Sequence, residues 1–401
     1  MDGLFADLLV IDCASFIAGP AAATMLADFG AREIKIEPPV TGDSYRQLKH
    51  LPSMPPSEHD YSWLLDNRNK ESLALDLKQA PARAIFETLL KRCDVFITNY
   101  PGPVREKLRL RADDLLPLNP RLIYGSITPY GELGPEKDRT GYDATAWWAR
   151  SGLMDHVRAS ADAAPGLSVP GMGDHPTAAT LFAGIAAALY RREKTGKGGH
   201  VSTSLLANGL WSNAVLVQAA LCGADLGIRR GRGERSALTE LYCCKDGRWF
   251  MLVIINDTRD WPRLLACLGK GEWASDPRFA TADARKANAA YLVALLEDVF
   301  AGDDWAHWQA CFEAAAIPVG AISRTADHIV DGQIAANDFF RDIAGVAGVK
   351  TVDNPVQIAG CAKVPPRKAP DIGQHTGAIL RELGLAQAEI AALAECGAAG
   401  L

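Results

Sequence analysis

Five short apolar runs recur along the first third of the chain, at residues 8–13, 33–37, 72–76, 94–98 and 122–127. Helix-type patterns lie between them, most clearly at 21–29 and in the amphipathic stretch 79–91. Strand, helix, strand, helix in this order predicts a parallel sheet covered on both faces, because each parallel crossover lays its helix on one face. The fold class expected is therefore α/β. Such a sheet binds ligands beyond the carboxyl ends of its strands. The turn after the first run reads Ser15-Phe16-Ile17-Ala18-Gly19-Pro20, so the G-x-G-x-x-G fingerprint of dinucleotide binding is absent. No P-loop is present either, and a dehydrogenase is not indicated.

A second stretch, residues 171–192, carries the chemistry. Gly171 and Gly173 suit a tight approach turn, and Pro176 suits the first position of a helix. The residues that follow are apolar on nearly every side, which predicts a buried helix, and Arg191 and Arg192 complement its negative end. Asp174 then sits at the positive end, where a carboxylate is held ionised and is served by free backbone N–H groups. One reading makes Asp174 an ordinary N-cap. Base rates favour that reading, and the glycines on its approach side count against it, since a cap does not need the backbone cleared away from it. His175 beside it reads as a neighbouring polar residue without a chemical role.

Composition limits the partners. The 401 residues are 48% hydrophobic and 22% charged, with a net charge of -6 and both signs interspersed, which points to neither nucleic acid nor an anionic membrane. Nine scattered cysteines, with no C-x-x-C and no Cys/His ligand spacing, read as reduced thiols in a cytoplasmic protein without a metal. The start of the sequence shows no signal peptide, and no run is long enough to span a membrane. Further along, 200–206 reads as strand and 206–222 as one helix. The runs 238–244 and 249–255 form a hairpin. Helices are expected at 261–268, 289–300 and 304–315, strands at 317–322 and within 345–358, and a closing helix at 376–383.

Several pieces together resemble the family III CoA-transferases, the group of formyl-CoA and carnitine CoA-transferases with their α-methylacyl-CoA racemase relatives. They are Ala18-Gly19-Pro20, the run 35–39 with Gly42, Asp43 and Arg46, and the run 99–103. Next come 118–123, Tyr130-Gly131 with Gly134-Pro135, Gly141-Tyr142-Asp143 and Gly173-Asp174. The runs 192–198, 370–376 and 380–384 complete the set, in family order and over nearly the whole chain. The resemblance implies an interlocked homodimer of ring-like chains, each with a Rossmann-like parallel-sheet domain and a smaller α+β domain. The large domain would take residues 1–200, a linker helix 201–228, the small domain 229–328, and a linker returning to the large domain 329–401.

In that family the residue matching Asp174 is the nucleophile, which captures the acyl group of a thioester and then carries CoA as an aspartyl-CoA thioester. The implied activity moves CoA from an acyl-CoA, with succinyl-CoA a reasonable donor, to a free carboxylic acid. Coenzyme A and acyl-CoA are substrates, and no tightly bound cofactor is implied. By the same match Ile17, Asn99, Tyr100, Lys107 and Tyr142 lie on the CoA side. Arg46 and Arg105 are candidate phosphate partners, and Leu75 closes a seam near the adenine. The basic segment with Arg229, Arg230, Arg232 and Arg235 replaces the glycine run of formyl-CoA transferase, and Ile17 replaces its glutamine. Guanidinium groups pair bidentately with carboxylates, so these arginines suit the far carboxylate of a dicarboxylic substrate. Two alternatives stand beside this reading. A racemase of the family carries histidine where Tyr142 stands and glutamate where Asn256 stands, and neither residue here is a suitable base. A CoA-ester-binding protein without catalysis is the other.

Overall fold

The computed structural model describes residues 3–160, 162–227 and 236–401. The chain divides into two compact units, one of Met1–Asp155, Leu167–Gly223 and Ile334–Leu401, the other of His156–Gly166 and Ala224–Gln333.

The larger unit is built on a sheet of seven strands. Six of them, β1 (Leu9–Asp12), β2 (Arg32–Glu37), β3 (Glu71–Leu75), β4 (Val95–Thr98), β5 (Ile123–Thr128) and β6 (Gly199–Ser204), are parallel in the spatial order β3-β2-β1-β4-β5-β6. The parallel sheet expected from the apolar runs is thus present. Its order reverses between β1 and β4, which opens a crevice at the carboxyl ends of those two strands. The seventh strand is Ala399–Gly400, antiparallel to β3 at the edge. Two residues carry no period, so nothing local announces it.

Helices cover both faces. Ile11, Ile34, Leu73, Phe86, Phe96 and Tyr124 belong to one cluster of buried side chains. Val10, Leu26, Ile97, Ile123, Leu181 and Ile185 belong to the other. Neighbours such as Val10 and Ile11, or Phe96 and Ile97, point to opposite faces, as the two-residue period of a strand requires. Each fully buried side chain of this kind stabilises the unit by about 1.5–3 kcal/mol before conformational entropy is counted.

The helix Asp174–Thr195 lies in the second cluster together with Ala18–Asp28. It is buried on one face only. Thr177, Ala178, Leu181, Phe182, Ile185 and Leu189 face the core, whereas Pro176, Thr180, Ala183, Ala187 and Tyr190 are exposed. The reading of an all-round buried helix is corrected here: alanine is compatible with either environment, and its abundance hides the polar face. Pro176 is the third residue of this helix, after Asp174 and His175. Arg192 reaches Asp94 at 2.9 Å, and Gly196, with φ 71°, ends the helix in the left-handed region. The stretch expected as one helix at 206–222 is two, Leu205–Ser212 and Ala214–Leu221. They meet at Asn213, whose side-chain amide donates to the Ser151 carbonyl at 3.0 Å.

In the smaller unit β7 (Thr239–Cys243), β8 (Trp249–Val253) and β9 (Val319–Ala321) form an antiparallel sheet. Tyr242, Phe250, Phe300 and Phe312 pack in its core, with helices Asp257–Leu268, Ala289–Phe300 and Trp305–Ala314 supplying much of the rest. The first of these begins four residues before the expected start, because the Asn256 side chain accepts from the Arg259 N–H at 3.1 Å and caps it. Among the described residues no helix is long and apolar enough to cross a membrane, and no group of side chains suits a metal ion.

Candidate active site

The turn that follows β1 is held in an unusual shape. Phe16 has φ 61°, a left-handed conformation that a bulky residue adopts only under constraint. The constraint comes from Asp43. Its Oδ1 accepts from Ser15 Oγ at 2.5 Å, from the Phe16 N–H at 3.2 Å and from the Tyr45 N–H at 3.0 Å. Its Oδ2 meets Lys35 Nζ at 2.9 Å. Burial alone would drive the Lys35 ammonium toward neutrality, but Asp12, Asp43 and Glu37 outweigh it and keep the charge. Asn99, at the end of β4, grips the same turn by accepting from the Ser15 N–H at 2.8 Å and donating to the Ser15 carbonyl at 2.7 Å.

Phe16 and Ile17 thereby line a cavity of about 550 Å³ together with Leu48, Tyr142, Gly171 and Asp174. Asp174 is the first residue of its helix. The N-cap position belongs to Gly173, and no side chain caps the helix there. Among the described residues the Asp174 carboxylate has neither a hydrogen-bond nor a salt-bridge partner. The backbone donors expected around it are largely engaged. The Gly173 N–H donates to Asp143 Oδ2 at 3.2 Å, the His175 N–H to the Gly171 carbonyl at 3.1 Å and the Thr177 N–H to the Gly173 carbonyl at 3.3 Å. Pro176 has no N–H to give.

The carboxyl is accordingly not held ionised. Burial first, and then the negative charge of Asp143, push Asp174 up to about 7 from an ordinary 3.8; His175 acts in the opposite direction. Each glycine on the approach has its own reason. Gly171 has φ 78°, and a Cβ there would lie 2.9 Å from the His175 ring. A Cβ on Gly173 would lie 2.5 Å from Cγ of the buried Trp147, on the π-helical turn Asp143–Ala149.

Behind Asp174 stands a pair joined across 109 residues. His175 Nε2 lies 3.0 Å from Asp66 Oδ1, and His175 Nδ1 lies 3.1 Å from the Gly171 carbonyl. Asp66 is almost fully buried, and its Oδ2 accepts from the Tyr45 hydroxyl at 2.6 Å. Burial would lower the affinity of His175 for a proton, but the hydrogen bond and charge of Asp66 raise it above the ordinary value. Asp66, Tyr45 and Trp147 were not among the candidates read from the chain. Their partners lie far along the sequence, and no local pattern marks them.

Of the candidates, Ile17, Tyr142 and Asp174 share one cavity. Tyr142 is 57% exposed, with its ring edge-on to Phe16 at 6.0 Å. Asn99 braces the turn from outside that lining. Arg46 stacks on Trp63 at 3.6 Å and donates to both oxygens of Glu37, at 2.9 and 2.7 Å. Arg105 donates to both oxygens of Glu132, at 3.1 and 2.9 Å. Both guanidinium groups are thus already bound to carboxylates. Leu75 is buried at the end of β3, where it pairs with Ala399. Tyr100 is held un-ionised by burial, and Lys107 is exposed at the end of helix Gly102–Lys107. Arg229, Arg230, Arg232 and Arg235 lie outside the described residues.

Comparison with known proteins agrees along the whole chain. The model of CoA-transferase family III matches residues 5–376. The chain is 32% identical to (R)-2-hydroxy-4-methylpentanoate CoA-transferase of Clostridioides difficile, over 95% of this chain and 96% of that one. It is 34% identical to acetyl-CoA:oxalate CoA-transferase of Acetobacter aceti, over 96% and 97%. Succinyl-CoA:glutarate CoA-transferase of Mus musculus is 32% identical, over 93% and 85%. A crystal structure of a CaiB/BaiF family protein from Brucella suis superposes with a TM-score of 0.84 at 29% identity, covering 96% of this chain and 100% of that one.

Proposed function

The chain belongs to CoA-transferase family III and is a CoA-transferase, and from that premise we propose that Asp174 is its covalent nucleophile. The observation that carries the proposal is the Asp174 carboxylate itself, without a partner among the described residues and lining a cavity of about 550 Å³. A carboxylate at an ordinary helix start is capped, paired or solvated; this one is raised to about 7 by burial and by Asp143.

The ionised Asp174 attacks the thioester carbonyl and expels CoA as its thiolate, leaving a mixed anhydride. The thiolate then attacks the aspartyl carbonyl, which releases the donor acid and forms an aspartyl-CoA thioester. The acceptor carboxylate runs the same two steps in reverse, so water takes no part and the thioester energy is conserved. With most helix N–H groups engaged, the developing oxyanions call on donors other than the first turn.

The donor is an acyl-CoA and the acceptor a small carboxylic acid. Succinyl-CoA and a dicarboxylate are the pair we favour, supported by the name of the mouse relative and by the arginines at 229, 230, 232 and 235. We also read the protein as a cytoplasmic homodimer of interlocked chains. Incubation with a panel of acyl-CoA esters, hydroxylamine trapping and mass spectrometry tests the central claim. A hydroxamate at residue 174 is expected with the true donor. CoA exchange that survives in Asp174→Ala would overturn the nucleophile.

A further inference from the structure

The start of the Asp174 helix holds a charged group that the transfer scheme leaves unused. Both ring nitrogens of His175 face hydrogen-bond acceptors: Nδ1 the Gly171 carbonyl at 3.1 Å, and Nε2 the Asp66 carboxylate at 3.0 Å. A carbonyl has no proton to give. As a carboxylate, Asp66 accepts from Tyr45 on Oδ2 and offers Oδ1 to the ring as a second acceptor. Two acceptors require two N–H donors, and an imidazole with both nitrogens protonated is a cation. The seat is built for the ring. Gly171 must take φ 78°, and any side chain there would strike the ring at 2.9 Å.

We propose that His175 is a positioning residue whose fixed positive charge, held by Asp66 and Tyr45, stabilises the ionised Asp174 for attack. The inference rests on the reading of Asp174 as nucleophile. The charged groups around the pair divide cleanly. Asp66, on the helix Tyr61–Asn67, contacts the ring, the charge of Asp174 also acts on it, and the charge of Asp143 acts on Asp174. Arg68 and Asp353 border a cavity of about 490 Å³ beside the ring. Arg68 is bound to Asp28 at 2.6 Å and Asp353 to Lys363 at 2.7 Å, so neither competes for His175. The imidazolium is therefore the one cation that acts on Asp174 among the described residues, against the negative charges of Asp143 and Asp66.

His175→Gln keeps an amide donor in the seat and removes the charge. At saturating acyl-CoA, the acidic limb of the kcat profile is expected to move up by about one pH unit, a tenfold loss below the limb that shrinks to less than twofold at pH 9, with KM for the donor nearly unchanged. Asp66→Asn removes the partner that holds the ring's charge but also an anion that opposes ionisation of Asp174, so its expected readout is the ring itself, a His175 pKa below that of wild type. Losses equal at every pH, or an unmoved limb, would overturn the proposal. Folding of the variants is bypassed by a direct reading on the wild-type enzyme. Long-range proton–nitrogen correlation spectra, with His175 assigned from the signal lost in His175→Gln or by selective labelling, should show both ring nitrogens protonated at pH 7.5, and a neutral-tautomer signature refutes it. Asp174→Ala separates the two claims. An active Asp174→Ala sinks the nucleophile, whereas a dead one beside an unmoved His175→Gln limb sinks this inference alone.

Discussion

Asp174 should make the protein less stable as the pH rises, and Asp174→Asn should remove that dependence. Its carboxyl is raised from about 3.8 to about 7 in the folded state, mainly by burial. A raised carboxyl binds its proton more tightly folded than unfolded, so its contribution is complete below pH 4 and is lost progressively up to pH 7. Between pH 5 and pH 8 roughly two units of that shift are lost, about 3 kcal/mol at the upper limit and about 1–3 kcal/mol once partial solvent exposure is allowed for. The larger unit holds about 280 residues, whose unfolding entropy near 60 °C is about 0.6 kcal/mol per degree. The Tm advantage of Asp174→Asn over wild type should therefore grow by about 2–5 °C from pH 5 to pH 8. Thermal unfolding followed by tryptophan fluorescence at low salt measures it, with Trp147 as a reporter beside Gly173. A difference that stays constant across this range, or shrinks, would show that the carboxyl is not held in an unfavourable setting. If Asp174 is the nucleophile, the same destabilisation serves the chemistry, as is common where a site is built against the interest of the fold.

Three further outcomes follow from contacts around the cavity. Gly173→Ala places a methyl 2.5–2.7 Å from the Trp147 side chain; a cost of about 1–3 kcal/mol is expected in urea unfolding, and a displaced Asp174 should lower transfer by tenfold or more, about 1.4 kcal/mol in the barrier. Asp43→Asn weakens one of the buried partners of Lys35, with Asp12 still 3.4 Å away, and loosens the grip on Phe16; a loss of about 1–3 kcal/mol in the same measurement is expected. Tyr142→Phe removes only an exposed hydroxyl, so kcat should stay within about twofold, and wild type should wash no deuterium into the α-carbon of a 2-methylacyl-CoA.

Much of the fold was legible because it is written in short-range patterns. Runs such as 94–98 are apolar without alternation, and strands buried on both faces must be. The helix at 289–300 was read to the residue, since its apolar spacing is regular. Failures came where a short-range pattern was ambiguous. Alanine hid the exposed face of the Asp174 helix, Asn213 broke what reads as one helix, and the Asn256 cap extended another by four residues.

The line of Gly171, Gly173 and Asp174 before a long helix singled out the carboxylate by local sterics, and the family resemblance made it a candidate nucleophile. What surrounds that carboxylate was decided elsewhere in the chain. Asp143 and Trp147 come from 31 and 27 residues away, and Asp66 reaches His175 across 109 residues of sequence. Backbone dihedrals respond to near neighbours, so elements can be read from a window of residues. Charge and burial act through space, and only the folded sheet with its helices brings a histidine, two aspartates and a tryptophan ring to one helix end.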